Sequence, residues 1–239
     1  MNNTPTVTKN LIIINALCFF AAIVAGKHGI DLNDVLGLHY FESEKFKLYQ
    51  LFTYMFMHSG FEHIFFNMFA VWMFGRVLET VWGPQRFLFF YILCGMGAGI
   101  IQEIVQYFQF IPYYADMTQL SALAPNEMVN IDGNMYTAAQ WLSRYMRVIN
   151  VATVGASGAV YAVLMAFGML FPNQPMYIIP FPMPIKAKWM ITGYILIELY
   201  LGLTGNDGIA HFAHLGGMIF GFFLIVYWKK KGTFHGRYF

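Results

Sequence analysis

The stretch VATVGASGAVYAVLMAFG, residues 151–168, decides how the rest of the chain is read. It is apolar enough for lipid, yet it places one hydroxyl nucleophile, Ser157, between Gly155-Ala156 and Gly158, with Tyr161 one helical turn later on the same face. A helix that begins near Ser157 points its unpaired first-turn N–H groups and the positive end of its dipole at whatever the serine attacks. Such groups favour a developing oxyanion. The apolar run closes at Pro172, and from Ser157 to Phe171 it measures roughly 22 Å, short of a hydrocarbon core of roughly 30 Å. Its start is therefore expected below the membrane surface.

Composition fixes the environment. The 239 residues are 58% hydrophobic, 19% aromatic and only 11% charged, with a mean hydropathy of +0.53, whereas soluble domains carry about 25% charge. One membrane bundle of several spans is expected. The net charge of +2 is too small for a nucleic-acid partner, and no basic patch is interleaved with aromatics. Cys18 and Cys94 both fall within apolar runs and read as small buried hydrophobes, not as a disulfide framework or a zinc pattern.

In chain order, a polar tail over residues 1–9 precedes an apolar run over 11–25, read as a retained first span and not a signal peptide. Residues 27–49 form a charged first loop, and 46–56 are amphipathic enough to lie in the interface. Residues 59–74 are the second span, ending at Gly75-Arg76, and a short charged connector carries Glu79, Gly83-Pro84 and Arg86. The third span, 87–110, is expected to end at Pro112. Residues 111–150 then make a long extramembrane insertion, turn-like at Asp132-Gly133-Asn134 and helical in period over 137–149. After the fourth span, 172–184 is a proline-punctuated connector, 189–203 the fifth span, 204–208 a tight turn and 209–228 the sixth, followed by a basic tail.

Charge orients this arrangement. Placing both termini and the 76–86 and 172–188 connectors on one side gathers Lys9, Arg76, Arg86, Lys186, Lys188, Lys229, Lys230, Lys231 and Arg237 there. The opposite side keeps Lys27, Lys45, Lys47, Arg144 and Arg147, so the first side is cytoplasmic and the long loops face outward. His63, Ser157 and His214 then fall in one layer a few residues beneath the outer surface, and ionisable groups at that depth default to function.

Each of these residues also has a plain reading. A serine among glycines in a span is a common packing contact, and Gly217 with Gly221 forms a GxxxG face that brings helices together. His211 and His214 lie three apart and His58 and His63 five apart, so a metal or haem site has to be weighed; it is disfavoured because no carboxylate or thiolate lies at ligand spacing in the sequence. No metal and no cofactor are expected. Glu198, in the middle of the fifth span, has no motif to explain it and reads as a hydrogen-bonded or protonated carboxyl facing the bundle.

The combination is more specific than its parts. His58-x4-His63-x3-Asn67, Gly155-x-Ser157-Gly158-x2-Tyr161 and Ala213-His214-x2-Gly217-x3-Gly221 occur in order on three spans, and together they resemble the rhomboid family of intramembrane serine proteases over about residues 46–228. The resemblance implies an all-α, six-helix membrane bundle with both termini cytoplasmic. It also implies one domain over 1–239 and a water-filled cavity in which transmembrane substrates are cut near the outer face.

By the same resemblance, Ser157 is the nucleophile, His214 its general base and Tyr161 the ring on which that base rests. His63 and Asn67 stand on the oxyanion side, with Gly155, Gly217 and Gly221 in support. The chemistry is coherent, because a serine hydroxyl attacks only when a neighbouring imidazole takes its proton. No acidic third member is expected, since an unpaired carboxylate in lipid is costly. Where family members carry Trp-Arg in the first loop, this chain has Tyr49-Gln50, and the resemblance supplies no loop anchor there. The partners implied are transmembrane substrates and the bilayer, in a bacterial plasma membrane. A client-binding protein that does not cut and a histidine-ligated redox protein are the competing classes.

Overall fold

The computed structural model describes residues 4–131, 133–177, 183–204 and 209–232. Residues 205–208 of the tight turn expected at 204–208, Asp132 of the predicted turn, part of the proline-rich connector and the tail beyond Gly232 lie outside the described residues. Among the described residues, four helical stretches are long and apolar enough to cross a membrane. The first is α1 (Thr6–Lys27), whose apolar side chains, such as Leu17 and Phe20, face outward as lipid-facing ones do.

The first loop holds two short helices, α2 (Leu32–Leu36), capped by the Asp31 carboxylate, and α3 (Gln50–Thr53). Gln50, at one of the two positions where the sequence departs from the family pattern, ties this loop together. Its buried amide oxygen accepts from the backbone N–H groups of His39 and Lys47, and its nitrogen donates to the carbonyls of Val35 and Lys45. The loop's anchor is thus internal.

The second span is longer than expected. Helix α4 (Phe61–Ala70) passes through a π-helical turn (Val71–Gly75) into α5 (Arg76–Trp82), so the predicted break at Gly75-Arg76 and most of the charged connector are helical. The polar residues there are matched. The Glu79 carboxylate accepts from the Val7 and Thr8 N–H groups and the Thr8 hydroxyl, closing the open start of α1, and Arg76 lies over the Trp72 ring.

Helix α6 (Pro84–Ser121) also overruns its predicted end, passing through Pro112. A proline forfeits one backbone bond, which is not enough to end a helix held by packing beyond it. Here Phe110, with Met117 nearby, packs against Tyr40 of the first loop and Tyr145 and Ile149 of α7 (Ala138–Ile149). The chain is mostly helical, as expected, but the insertion between them also carries strands. Strands β1 (Met128–Ile131) and β2 (Asn134–Thr137) pair antiparallel, with Ile131 opposite Asn134. A second, smaller pair, β3 (Pro175–Met176) and β4 (Ile185–Lys186), lies in the proline-rich connector.

The short apolar helix is α8 (Ser157–Leu170), and it sits at the centre of the bundle with ten of its 14 residues buried. It packs on α6, on α9 (Ala187–Thr204) and most extensively on α10 (His211–Lys230). Small residues make this possible, since lipid supplies no hydrophobic drive between helices and close backbone contact has to replace it. A Cβ at Gly217 would stand 1.9 Å from the Gly158 carbonyl oxygen, so these two helices touch backbone to backbone.

Candidate active site

Ser157 is the first residue of α8, and the segment leading into it is fixed from outside. Leu38 and Thr153 exchange backbone hydrogen bonds of 2.9 and 2.8 Å, Gly155 N–H donates to the Tyr54 carbonyl at 2.9 Å, and the Tyr54 hydroxyl donates to the Gly95 carbonyl at 2.6 Å. The first loop therefore couples the serine's approach to α6. Gly155 has φ +133°, a conformation that residues with a side chain rarely adopt, and a Cβ there would meet His63 Nε2 at 2.7 Å. The cap residue Ala156 has no side-chain acceptor. The first-turn N–H groups of α8 thus have no acceptor within their own helix.

His214 comes from the first turns of α10. Its Nε2 stands 2.8 Å from Ser157 Oγ, and its ring stacks on Tyr161 with centroids 4.3 Å apart and planes 8° from parallel. The sequence separation is 57 residues, and the Gly217–Gly158 contact one turn below closes it. Gly221 repeats the device more loosely, its virtual Cβ lying 3.2 Å from that of Ala162.

His63 and Asn67 lie on one face of α4 and line the same cavity of about 720 Å³ as Ser157, Tyr161 and His214. The Ser59 N–H reaches His63 Nδ1 at 3.4 Å, with Ser59 Oγ at 3.1 Å. Nδ1 is then the acceptor, which leaves Nε2 as the N–H of a neutral ring. Asn67 is buried, and its amide nitrogen has no partner among the described residues. These are two donors beside the serine with no acceptor among the described residues.

The group missed by sequence reasoning is the carboxylate of Glu198, on α9. One of its oxygens, Oε2, stands 3.0 Å from His214 Nδ1 and 2.7 Å from His211 Nδ1, and Oε1 takes the hydroxyl of Tyr161. An acidic neighbour of His214 is therefore present, contrary to the expectation of none. An unpaired carboxylate is costly in lipid, but this one has three donors. Its sequence signal was the unexplained mid-span glutamate facing a span with two histidines three apart.

Glu198, His211 and His214 also offer donor atoms all within 4.8 Å of one another, so a carboxylate does stand beside the histidine pair in space. The two Nδ1 atoms meet the same oxygen at hydrogen-bond lengths, which leaves no gap for a cation between nitrogen and oxygen. The spacing is that of a hydrogen-bonded cluster.

The sequence matches the family model of the Rhomboid domain over residues 45–231. It is 27% identical to "RHOMBOID-like protein 12, mitochondrial" of Arabidopsis thaliana over 88% of this chain and 55% of that protein. It is 24% identical to "Rhomboid protease GluP" of Bacillus subtilis over 93% of this chain and 34% of that protein. With "Rhomboid protease AarA" of Providencia stuartii the identity is 25%, over 70% and 51% respectively. The chain thus spans about a third to just over half the length of these three relatives.

Proposed function

Since this chain belongs to the rhomboid family, we propose that it is an intramembrane serine endopeptidase cutting transmembrane proteins near the outer face of the bilayer. The observation that carries the reading is the 2.8 Å contact between Ser157 Oγ and His214 Nε2, beside a cavity set among apolar helices. His214 Nε2 takes the hydroxyl proton as Oγ bonds to the scissile carbonyl carbon. The carbonyl oxygen becomes an oxyanion within reach of the Ser157 N–H, His63 Nε2–H and the Asn67 amide. His214 then passes its proton to the leaving amine, the C–N bond breaks, and water hydrolyses the acyl-serine by the same steps in reverse order.

The test is cleavage of a model transmembrane substrate by the purified chain and by Ser157→Ala in vesicles. Cleavage confined to the unsubstituted chain is expected. Cleavage that survives the substitution contradicts the proposal, and binding without cleavage by the unsubstituted chain indicates a silent client binder. Asn67→Ala is expected to lower kcat about a hundredfold with little change in KM, the usual cost of one oxyanion donor. Loss through KM alone would remove Asn67 from that role.

The chain is an integral membrane protein. The topology proposed for it has six crossings, α1, α4 with α5, α6, α8, α9 and α10, as one domain over residues 1–239 with its core at 46–228 and an outward insertion at 111–150. Both termini are cytoplasmic, supported by the basic residues at those ends and connectors. The bacterial relatives support a bacterial plasma membrane, while other relatives carry mitochondrial names. In a bacterial host, a reporter that works only in the cytoplasm is expected to be active at the C-terminus. Alkaline phosphatase inserted after Ala124 is expected to be active, and inactivity there would invert the topology.

A further inference from the structure

We propose that Glu198 is the third member of the active site, a positioning residue that sets which nitrogen of His214 is free to take the serine proton. The inference rests on the protease reading of Ser157 and His214 and adds a function for the carboxylate. A neutral imidazole carries one proton, and only one of its two tautomers can act as a base toward Ser157. A carboxylate oxygen accepts and cannot donate. With Glu198 Oε2 3.0 Å from His214 Nδ1, the ring proton belongs on Nδ1, and Nε2 is left bare 2.8 Å from the hydroxyl that gives up its proton. Without the carboxylate the other tautomer, with Nε2 protonated, becomes accessible and faces the serine with a donor where an acceptor is needed.

Orientation follows the same contacts. Stacking on Tyr161 fixes the plane of the His214 ring but leaves rotation within that plane, and the Oε2 contact removes it. The same tyrosine donates its hydroxyl to Oε1, so one side chain holds both the base and the group that aims it. His211, from the same helix as His214, donates to Oε2 at 2.7 Å. As His214 takes the proton during attack, the imidazolium lies against a fixed negative charge in a site only 5% exposed at Glu198, where Coulombic attraction is much stronger than in water.

The arrangement also explains how a charged carboxylate is tolerated at this depth. Three donors from two helices satisfy it, two imidazole N–H groups and one phenol O–H. A purely structural glutamate would need any three donors. One of these three is the base itself.

The experiment compares Glu198→Gln and Glu198→Asp with the unsubstituted chain, and Ser157→Ala runs beside them. Glutamine keeps the shape and loses the charge; aspartate keeps the charge and loses reach. The expected result is a kcat about a hundredfold or more lower for Glu198→Gln, with KM within twofold and folding retained, and a smaller loss for Glu198→Asp. A structural role predicts the reverse order, because glutamine is the better replacement in shape, and that order would overturn the proposal. A glutamine variant with kcat within twofold, alongside an inactive Ser157→Ala, would remove Glu198 and leave the protease reading intact. Activity in Ser157→Ala would remove both.

If Glu198→Gln does not fold, ring ¹⁵N shifts of the unsubstituted chain decide, with His214 assigned by difference from His214→Gln. A proton on Nδ1 supports the proposal; a proton on Nε2 overturns it.

Discussion

His214→Ala is expected to lower kcat about a thousandfold or more, which corresponds to about 4 kcal/mol of transition-state stabilisation. The size follows from the geometry. Ser157 Oγ has His214 Nε2 at 2.8 Å as its partner for proton transfer, and a serine hydroxyl without a base is a poor nucleophile at neutral pH. Because the two residues act in one step, Ser157→Ala with His214→Ala is expected to be little worse than either alone. Single-turnover cleavage with saturating enzyme measures this directly. Losses that multiply in the double variant would mean that the two side chains serve separate purposes.

Gly217→Val is expected to cost about a hundredfold in kcat for protein that remains folded. The virtual Cβ at Gly217 lies 1.9 Å from the Gly158 carbonyl oxygen, and 2.7 Å from that carbonyl carbon, so α10 has to retreat from α8 by about 1 Å or more. Both ends of the Ser157–His214 pair ride on those two helices, and a displacement of that size in reacting groups costs about a hundredfold. Overpacking also destabilises, by about 1–3 kcal/mol, so kcat is to be taken per folded molecule and compared with thermal stability. Gly221→Ala serves as the graded control, since its Cβ would meet Ala162 at 3.2 Å and require only a small adjustment. Activity that falls in proportion to folded protein in both variants would contradict the spacing argument.

The features readable from the sequence were those carried by short-range pattern. The apolar run from Ser157 to Pro172 was too short for a full crossing, and α8 is a 14-residue helix sunk among its neighbours. The glycines of α10 read as a close-approach face, and Gly217 does touch the backbone of α8. What the sequence hid depends on partners far along the chain. Glu198 reads as a hydrogen-bonded or protonated carboxyl facing the bundle, but its donors cannot be named from sequence because they come from α8 and α10, at separations of 37, 13 and 16 residues. Glu79 and Arg76 looked like a loop because charged residues end apolar patterns, yet they are helical and matched to Thr8 and Trp72. Pro112 looked like a stop for α6, and the aromatic packing around Phe110 keeps the helix going past it.

Whether Ser157 is the nucleophile is decided by mapping the adduct of a fluorophosphonate on the purified chain by peptide mass spectrometry. One phosphonyl group per chain is expected, on Ser157, formed far more slowly in His214→Ala and absent from Ser157→Ala. A label on another residue, or one that forms equally fast without His214, would contradict it.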